Sequence, residues 1–230
     1  MNTAERIQTI SQFFPIKKYL EVGVFNGATF NALDIAYKVA VDPNFRFDYQ
    51  SLSSDSVHFF QETSDTYFSR ESTKEQFDLI FLDGLHEFSQ TLRDFINALA
   101  HSHANTIFII DDVFPSDVFS AIPNQEECYY FRKMLTPTSI DGAWHGDVYE
   151  TIFAIHDFFP NISYCTVNWG FGNPQTFLYK KPRSNFKPLF NNFSAIEKLT
   201  YFDLHKQLAV LNLVTEEEAF KVLKDRPTNA

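Results

Sequence analysis

Cysteine is scarce in this sequence, and its scarcity excludes several classes of protein. The 230 residues include two cysteines, Cys128 and Cys165, which are too few for a disulfide framework and lack the spacing of a thiolate zinc site. The first five residues also lack the basic and then apolar pattern of a secretion signal. We therefore expect a cytoplasmic protein.

Long apolar runs and an excess of basic residues are missing as well. No segment has the roughly 18 consecutive apolar residues that a membrane helix needs. Lysine and arginine number 19 against 29 aspartates and glutamates, which gives a net charge of −10. Because nucleic-acid binding requires clustered cations, we do not expect a nucleic acid as partner. The missing apolar run likewise argues against a membrane as partner.

What the sequence does contain is an alternation of strand and helix patterns. Strands are predicted at 18–22, 38–41, 57–60, 78–82, 107–110, 162–167 and 176–180, and helices at 3–14, 28–36, from 64, at 87–101, 126–134 and 148–158. Thr3 and Asp147 are the expected caps of the first and last of these helices. The alternation predicts an α/β fold, and the short connection between the last two strands predicts an antiparallel hairpin.

Two segments stand apart from this regular pattern. Residues 113–147, which carry three prolines and Gly142, are predicted to form an insertion that could cover a site as a lid. Residues 1–183 are expected to form the main domain, and residues 184–230 a C-terminal helical appendage. The last helix of the appendage should begin at Thr215, which has Glu218 at capping-box spacing.

A turn with two glycines follows the first predicted strand. Gly23 and Gly27 are four residues apart, and the absence of side chains there lets a ligand approach the backbone. The turn has neither the G-x-G-x-x-G spacing of a dinucleotide site nor the Lys-Ser/Thr of a phosphate loop. Asp42 ends the second strand, where an acidic side chain can accept hydrogen bonds from ribose hydroxyls. These features fit a nucleoside-containing cofactor.

From residue 17 to about residue 181 this pattern resembles the class I S-adenosylmethionine-dependent methyltransferases. The resemblance implies a Rossmann-like sheet of seven strands, mostly parallel, with helices on both faces and a terminal antiparallel hairpin. It also implies that Gly23 and Gly27 face the methionine part of the cofactor, that Glu21 orients it and that Asp42 holds the ribose. The remaining predicted cofactor-binding residues are Asn26, Asp83 and Ser64, with Ser64 or Asp65 near the adenine.

Acidic residues and a histidine follow the fourth and fifth predicted strands. Asp83 and His86 come after the fourth strand, and Asp111 and Asp112 after the fifth. Neighbouring strand ends form the crevice of an open α/β sheet, so these side chains should converge there. Carboxylates are suitable ligands of Mg²⁺, and a near-neutral imidazole can take a proton at cellular pH. We predict a metal site at Asp83, Asp111 and Asp112, with His86 as the catalytic base.

At these residues the resemblance narrows to metal-dependent O-methyltransferases, which include the catechol and caffeoyl-coenzyme-A types. Plant-type members often carry a lysine three residues after the first aspartate, whereas this chain has His86. That difference argues against a catechol acceptor and makes the chain more similar to bacterial enzymes that methylate macrolide sugars. The implied reaction is Mg²⁺-dependent transfer of a methyl group to a hydroxyl of a small molecule, such as a sugar or a natural product.

Other interpretations stay open at this point. Trp144 and His145 are candidate substrate contacts in a lid, although a plain turn with Trp144 in the core would explain them as well. The carboxylates would equally suit a metal-dependent hydrolase, and the glycine turn a non-catalytic cofactor-binding module. A homo-oligomer is compatible with the sequence.

Overall fold

The protein is built around one mixed β-sheet, and the computed structural model describes residues 1–70, 75–138, 141–170 and 172–226. The strands are β1 (Lys18–Val22), β2 (Tyr37–Val41), β3 (Val57–Phe60), β4 (Phe77–Leu82), β5 (Ser102–Ile110), β6 (Ile162–Val167), β7 (Thr176–Lys180) and β8 (Leu213–Val214). Their spatial order is β3-β2-β1-β4-β5-β7-β6-β8. Strands β1 to β5 pair in parallel, and β7 runs antiparallel between β5 and β6. The predicted α/β fold and its terminal hairpin are confirmed.

Helices cover both faces of this sheet. They are α1 (Thr3–Phe13), α2 (Ser64–Phe68), α3 (Phe88–Ala100), α4 (Gln125–Leu135), α5 (Tyr149–Phe158), α6 (Phe193–Ile196), α7 (Tyr201–Lys206) and α8 (Glu216–Lys224). Alternate residues of a strand point to opposite faces, so Phe108 of β5 joins a core with α3 and α5, while Ile109 joins a core with α1 and α8. No helix among the described residues is long and apolar enough to cross a membrane.

The helix predicted over residues 28–36 is wrong. Only a short 3₁₀ turn forms there, at Phe30–Ala32. The carbonyl oxygens of Phe30 and Leu33, which an α-helix would use within its own turns, accept hydrogen bonds from the ammonium group of Lys38, each at 2.9 Å. The backbone N–H of Tyr37 donates instead to Lys17. Contacts to neighbouring strands therefore replace the helical hydrogen bonds.

Two predicted caps are also wrong, each by one residue. Asn2 caps α1 in a capping box with Glu5, and Thr3 is the first helical residue. Val148 occupies the N-cap position of α5, and the Asp147 carboxylate accepts a hydrogen bond from the backbone N–H of Phe88 at the start of α3.

The C-terminal segment adds a strand that sequence patterns do not predict. The two residues of β8 pair in parallel with β6, so the sheet has eight strands instead of seven. Two residues are too few to show an alternating pattern. Helix α8 begins after Thr215 with the predicted Glu218 capping box. The segment contributes buried side chains to both cores. Its separation from the main domain at residue 183 stays a prediction. Residues 227–230 lie outside the described residues.

A buried arginine joins the two ends of the chain. Arg6 of α1 is fully buried, and its Nε donates to the Glu216 carboxylate of α8 at 2.8 Å. Its guanidinium also donates to the Gln175 side chain at 2.9 Å, and Gln175 in turn donates to Asp111 at 2.9 Å. The first and last long helices are thereby connected to the end of β5.

We expect Arg6→Ala to lower the free energy of unfolding by about 3 kcal/mol, because it removes a buried guanidinium together with its ion pair to Glu216 and its hydrogen bond to Gln175. The control is Lys206→Ala, which breaks the exposed pair with Asp203 and should stay within about 0.5 kcal/mol of the wild type. Urea unfolding followed by circular dichroism measures both. Equal effects of the two substitutions would contradict the structural role of Arg6.

Candidate functional site

A cavity of about 810 Å³ opens at the carboxyl ends of β1, β2, β4 and β5. Its size falls within the range of small-molecule sites, about 300–1,000 Å³. The predicted site residues that line it are Glu21, Gly23, Asn26, Asp42, Ser64, Asp83, His86, Asp111, Asp112 and Trp144. Gly27 lies against Asn31 and Phe47 instead. His145 is buried outside the lining, with its Nε2 3.8 Å from an Asp112 oxygen.

The glycine turn is held by the ends of the two neighbouring strands. Gly23 has a φ of +84°, and a Cβ atom there would lie 1.8 Å from the carbonyl oxygen of Asp83. One oxygen of Asp42 accepts hydrogen bonds from the backbone N–H groups of Val24 and Phe25, both at 2.8 Å. Gly23 is therefore required by contact between backbones, and Asp42 shapes the turn that lines the cavity.

Glu21 lies in the sheet interior at one wall of the cavity. Its carboxylate accepts a hydrogen bond from the Tyr19 hydroxyl at 2.6 Å. Burial raises the pKa of Glu21 from 4.5 to about 8, although the Tyr19 hydrogen bond and the nearby Lys38 charge act in the opposite direction. The side chain is therefore protonated at neutral pH and can donate a hydrogen bond as well as accept one.

His86 lies between two carboxylates at the floor of the cavity. Its Nε2 is 2.9 Å from an Asp112 oxygen and 3.6 Å from an Asp83 oxygen. Its Nδ1 lies 2.8 Å from the carbonyl oxygen of Trp144, to which it donates. Burial lowers the pKa of His86, but the hydrogen bonds and charges of Asp112 and Asp83 outweigh this effect and raise it to about 11. The imidazole is thus oriented at both nitrogens.

The donor atoms of Asp83, His86 and Asp112 form a group that fits a divalent cation. One ligand atom from each residue lies within 4.8 Å of the others. Carboxylate oxygens suit hard cations such as Mg²⁺, whereas imidazole is a more usual ligand of transition metals. The two carboxylates are therefore the part of this group that matches a magnesium ion.

Asp111 lies outside that group, although the sequence predicts it as a metal ligand. One of its oxygens accepts hydrogen bonds from the Asn173 side chain and from the backbone N–H of Asp112, and the other accepts from Gln175. Asp112 itself has a φ of +57°. The Asp111 carboxylate supports this backbone conformation through its hydrogen bond from the Asp112 N–H.

Several cavity residues were not predicted from the sequence. Gln90 donates hydrogen bonds to Ser64 and Asp94, and burial raises the pKa of Asp94 to about 6. Gln90 and Asp94 are four residues apart on the buried side of α3, so polar residues in an apolar helical stripe were the available signal. Asn173 belongs to the β6–β7 connection, and no local pattern of the sequence pointed to it.

Replacing Glu21 should change how stability depends on pH. A group whose folded pKa is raised loses its contribution as pH rises, so the wild type should lose stability between about pH 4.5 and pH 8, where only the unfolded chain ionises Glu21. Glu21→Gln keeps an acceptor for Tyr19 and removes this ionisation. We expect the variant to lose less stability than the wild type between pH 5 and pH 8 in urea unfolding. Parallel losses in both proteins would show that Glu21 is ionised when folded.

Comparisons with known proteins agree with this geometry. Residues 20–113, from β1 to just past β5, match the family model of a methyltransferase domain. The matched region contains Glu21, Asp42, Asp83, His86 and Asp112. A search of curated protein sequences finds no match to the chain.

Solved structures share the fold. A proposed O-methyltransferase from Klebsiella pneumoniae is 14% identical with a TM-score of 0.52, and the alignment covers 77% of this chain and 79% of the other. The S-adenosylhomocysteine-bound Podospora anserina methyltransferase PaMTH1 is 16% identical with a TM-score of 0.51, over 79% and 89% of the two chains. The plantazolicin methyltransferase BpumL is 11% identical with a TM-score of 0.51, over 78% and 83%. Residues 20–113 therefore match a methyltransferase domain, and the chain shares the fold of these methyltransferases.

Proposed function

We propose that this chain is an O-methyltransferase that methylates a hydroxyl of a small molecule, such as a sugar or a natural product, with Mg²⁺ or another hard divalent cation. The observation that carries the proposal is the position of His86 between Asp83 and Asp112, at the floor of the cavity and beside the glycine turn. A hydroxyl must lose its proton to become a good nucleophile, and this group combines a proton acceptor with carboxylates that can hold a cation.

The cofactor would lie along the ends of β1 and β2. S-adenosylmethionine supplies an activated methyl group on a sulfonium. The turn from Gly23 and the protonated Glu21 would bind its methionine part, and Asp42 its ribose. Ser64, which begins α2 and receives a hydrogen bond from Gln90, would lie near the adenine. The Asp42 carboxylate also accepts hydrogen bonds from the backbone of Val24 and Phe25. A change at Asp42 would therefore alter both the ribose contact and the conformation of the turn.

Asp83 and Asp112 would hold the cation. A divalent cation at these carboxylates supplies Lewis acidity, which lowers the pKa of an acceptor hydroxyl. Asp111 is assigned a supporting role, because its hydrogen bond to the Asp112 backbone maintains that residue's conformation.

Nε2 of His86 would accept the proton of the acceptor hydroxyl once a cation at Asp83 and Asp112 offsets the carboxylate charges that raise the His86 pKa. Its Nδ1 donates to the Trp144 carbonyl, so Nε2 is the nitrogen that faces the carboxylates and the cavity. The Trp144 ring stacks on the imidazole with 4.7 Å between ring centroids. This cover limits the access of water to one side of the base, and exclusion of water favours transfer of the methyl group to the acceptor.

The Asp83-x-x-His86 pattern, which resembles bacterial enzymes that methylate macrolide sugars, supports a sugar or natural product as the acceptor. The plantazolicin methyltransferase among the structurally similar proteins supports a natural product as the acceptor. The cytoplasmic location and a homo-oligomeric state stay predictions.

Calorimetric titration tests the cofactor and the cation. S-adenosylmethionine should bind the purified protein, and Mg²⁺ should bind the wild type and Asp55→Asn, an exposed carboxylate outside the cavity. Asp83→Asn should weaken Mg²⁺ binding by at least about tenfold, because even second-layer changes at metal sites cost that much. Absence of S-adenosylmethionine binding with Mg²⁺ and with chelator would contradict the proposal, and product formation without the cofactor would favour a hydrolase.

Replacing His86 tests the base. His86→Ala should lower kcat by about 10²- to 10⁴-fold, the usual contribution of general acid–base catalysis, and should leave the Kd of S-adenosylmethionine nearly unchanged. Transfer of labelled methyl to a panel of sugars and polyhydroxylated natural products measures kcat. His205→Ala, an exposed histidine of α7, is the control. Unchanged turnover in His86→Ala would remove His86 from the mechanism.

A further inference from the structure

The backbone of Gly146, in the predicted insertion, lies against the backbone of His86. A Cβ atom on Gly146 would lie 1.8 Å from the carbonyl oxygen of His86 and 2.9 Å from its carbonyl carbon. Gly146 also has a φ of +59°, a conformation that residues with a side chain rarely adopt. A larger residue at this position must displace one of the two segments.

The neighbours of Gly146 hold the same part of the chain from two sides. On one side, the Trp144 carbonyl accepts the hydrogen bond from His86 Nδ1, and the Trp144 ring stacks on the imidazole at an interplanar angle of 24°. On the other side, the Asp147 carboxylate accepts a hydrogen bond from Phe88 N–H. Residues 144–147 therefore contact the His86 ring, the His86 carbonyl group and the backbone N–H of Phe88, the first residue of α3.

This segment is itself anchored by contacts that do not involve His86. The backbone N–H groups of His145 and Gly146 both donate to the carbonyl oxygen of Ser120 at 2.9 Å. The indole N–H of Trp144 donates to the carbonyl oxygen of Ile122 at 2.8 Å. These hydrogen bonds hold residues 144–146 in place, and His86 packs against them.

We infer that residues 144–147 form a clamp that positions His86, and that Gly146 is a positioning residue of the reaction. The inference rests on the proposed function, in which His86 exchanges a proton with the acceptor. A displacement of about 1 Å in a reacting group can cost about 10²-fold in rate, so a contact that fixes the imidazole affects turnover without touching the acceptor. The backbone of Trp144 thereby has a role apart from the substrate contact predicted for its side chain.

The first test compares Gly146→Ala with Gly142→Ala. Gly142 belongs to the same insertion, and a Cβ atom there meets no described atom within 4 Å. Gly146→Ala should lower kcat by at least about tenfold, with the Kd of S-adenosylmethionine and the circular dichroism spectrum unchanged, whereas Gly142→Ala should keep wild-type turnover. Equal turnover of the two variants would overturn the inference.

A double-mutant cycle separates positioning from a general structural effect. Because the clamp acts through His86, Gly146→Ala should cause no further loss of kcat in the His86→Ala background. Additive losses would overturn the clamp while leaving His86 as the base. Wild-type activity of His86→Ala alone would overturn the proposed base and the clamp together, so the two failures are distinguishable.

The imidazole ¹⁵N spectrum provides a readout that needs no acceptor. The Nδ1 resonance of His86 should change in Gly146→Ala, because the hydrogen bond to Trp144 is altered, and should stay unchanged in Gly142→Ala. If Gly146→Ala does not fold, Asp147→Ala removes the acceptor of Phe88 N–H and should produce the same change in resonance and the same loss of kcat. An unchanged resonance in a folded clamp variant would overturn the inference.

Discussion

The contact between the Gly23 backbone and the Asp83 carbonyl is the constraint on which the site depends. It brings the end of β1 against the end of β4, and the N–H of Asp83 donates to the carbonyl of Val22 at 2.8 Å in the same contact. Asp42 then fastens the turn to β2. The cavity exists because the carboxyl ends of the parallel strands β1, β2, β4 and β5 meet there, and its lining includes both the glycine turn and the carboxylates.

Buried charge is the second property of the site, and it is balanced by neighbours within the fold. Desolvation raises the pKa of Asp83 and of Asp111, and each also feels the charge of neighbouring aspartates. Gln175 and Arg6 connect Asp111 to α8. Burying acids without full pairing lowers the free energy of unfolding. The hydrogen bonds that connect Asp111 through Gln175 and Arg6 to Glu216 offset part of this loss. Helices α1 and α8, which lie outside the cavity lining, thereby stabilise the site.

Much of the site could be predicted from the sequence because strand ends in a parallel sheet converge. Asp83, His86 and Asp112 meet as expected, yet Asp111 does not join them. Asp112 has a φ of +57°, so the backbone turns between the two adjacent aspartates, and the Asp111 carboxylate accepts hydrogen bonds from Asn173 and Gln175 instead. The helix expected at residues 28–36 failed for a related reason, since Lys38, on the next strand, takes the carbonyl groups that the helix needed.

The sequence by itself determined the alternation of strands and helices, the antiparallel hairpin and the placement of the carboxylates and His86 after buried strands, because these depend on short-range periodicity. The tertiary structure alone decided which of two aspartates faces His86, that residues 144–147 lie against that histidine, and that two C-terminal residues add a strand. These features join parts of the chain separated by tens of residues. Packing of whole elements chooses such contacts, and no local pattern encodes them.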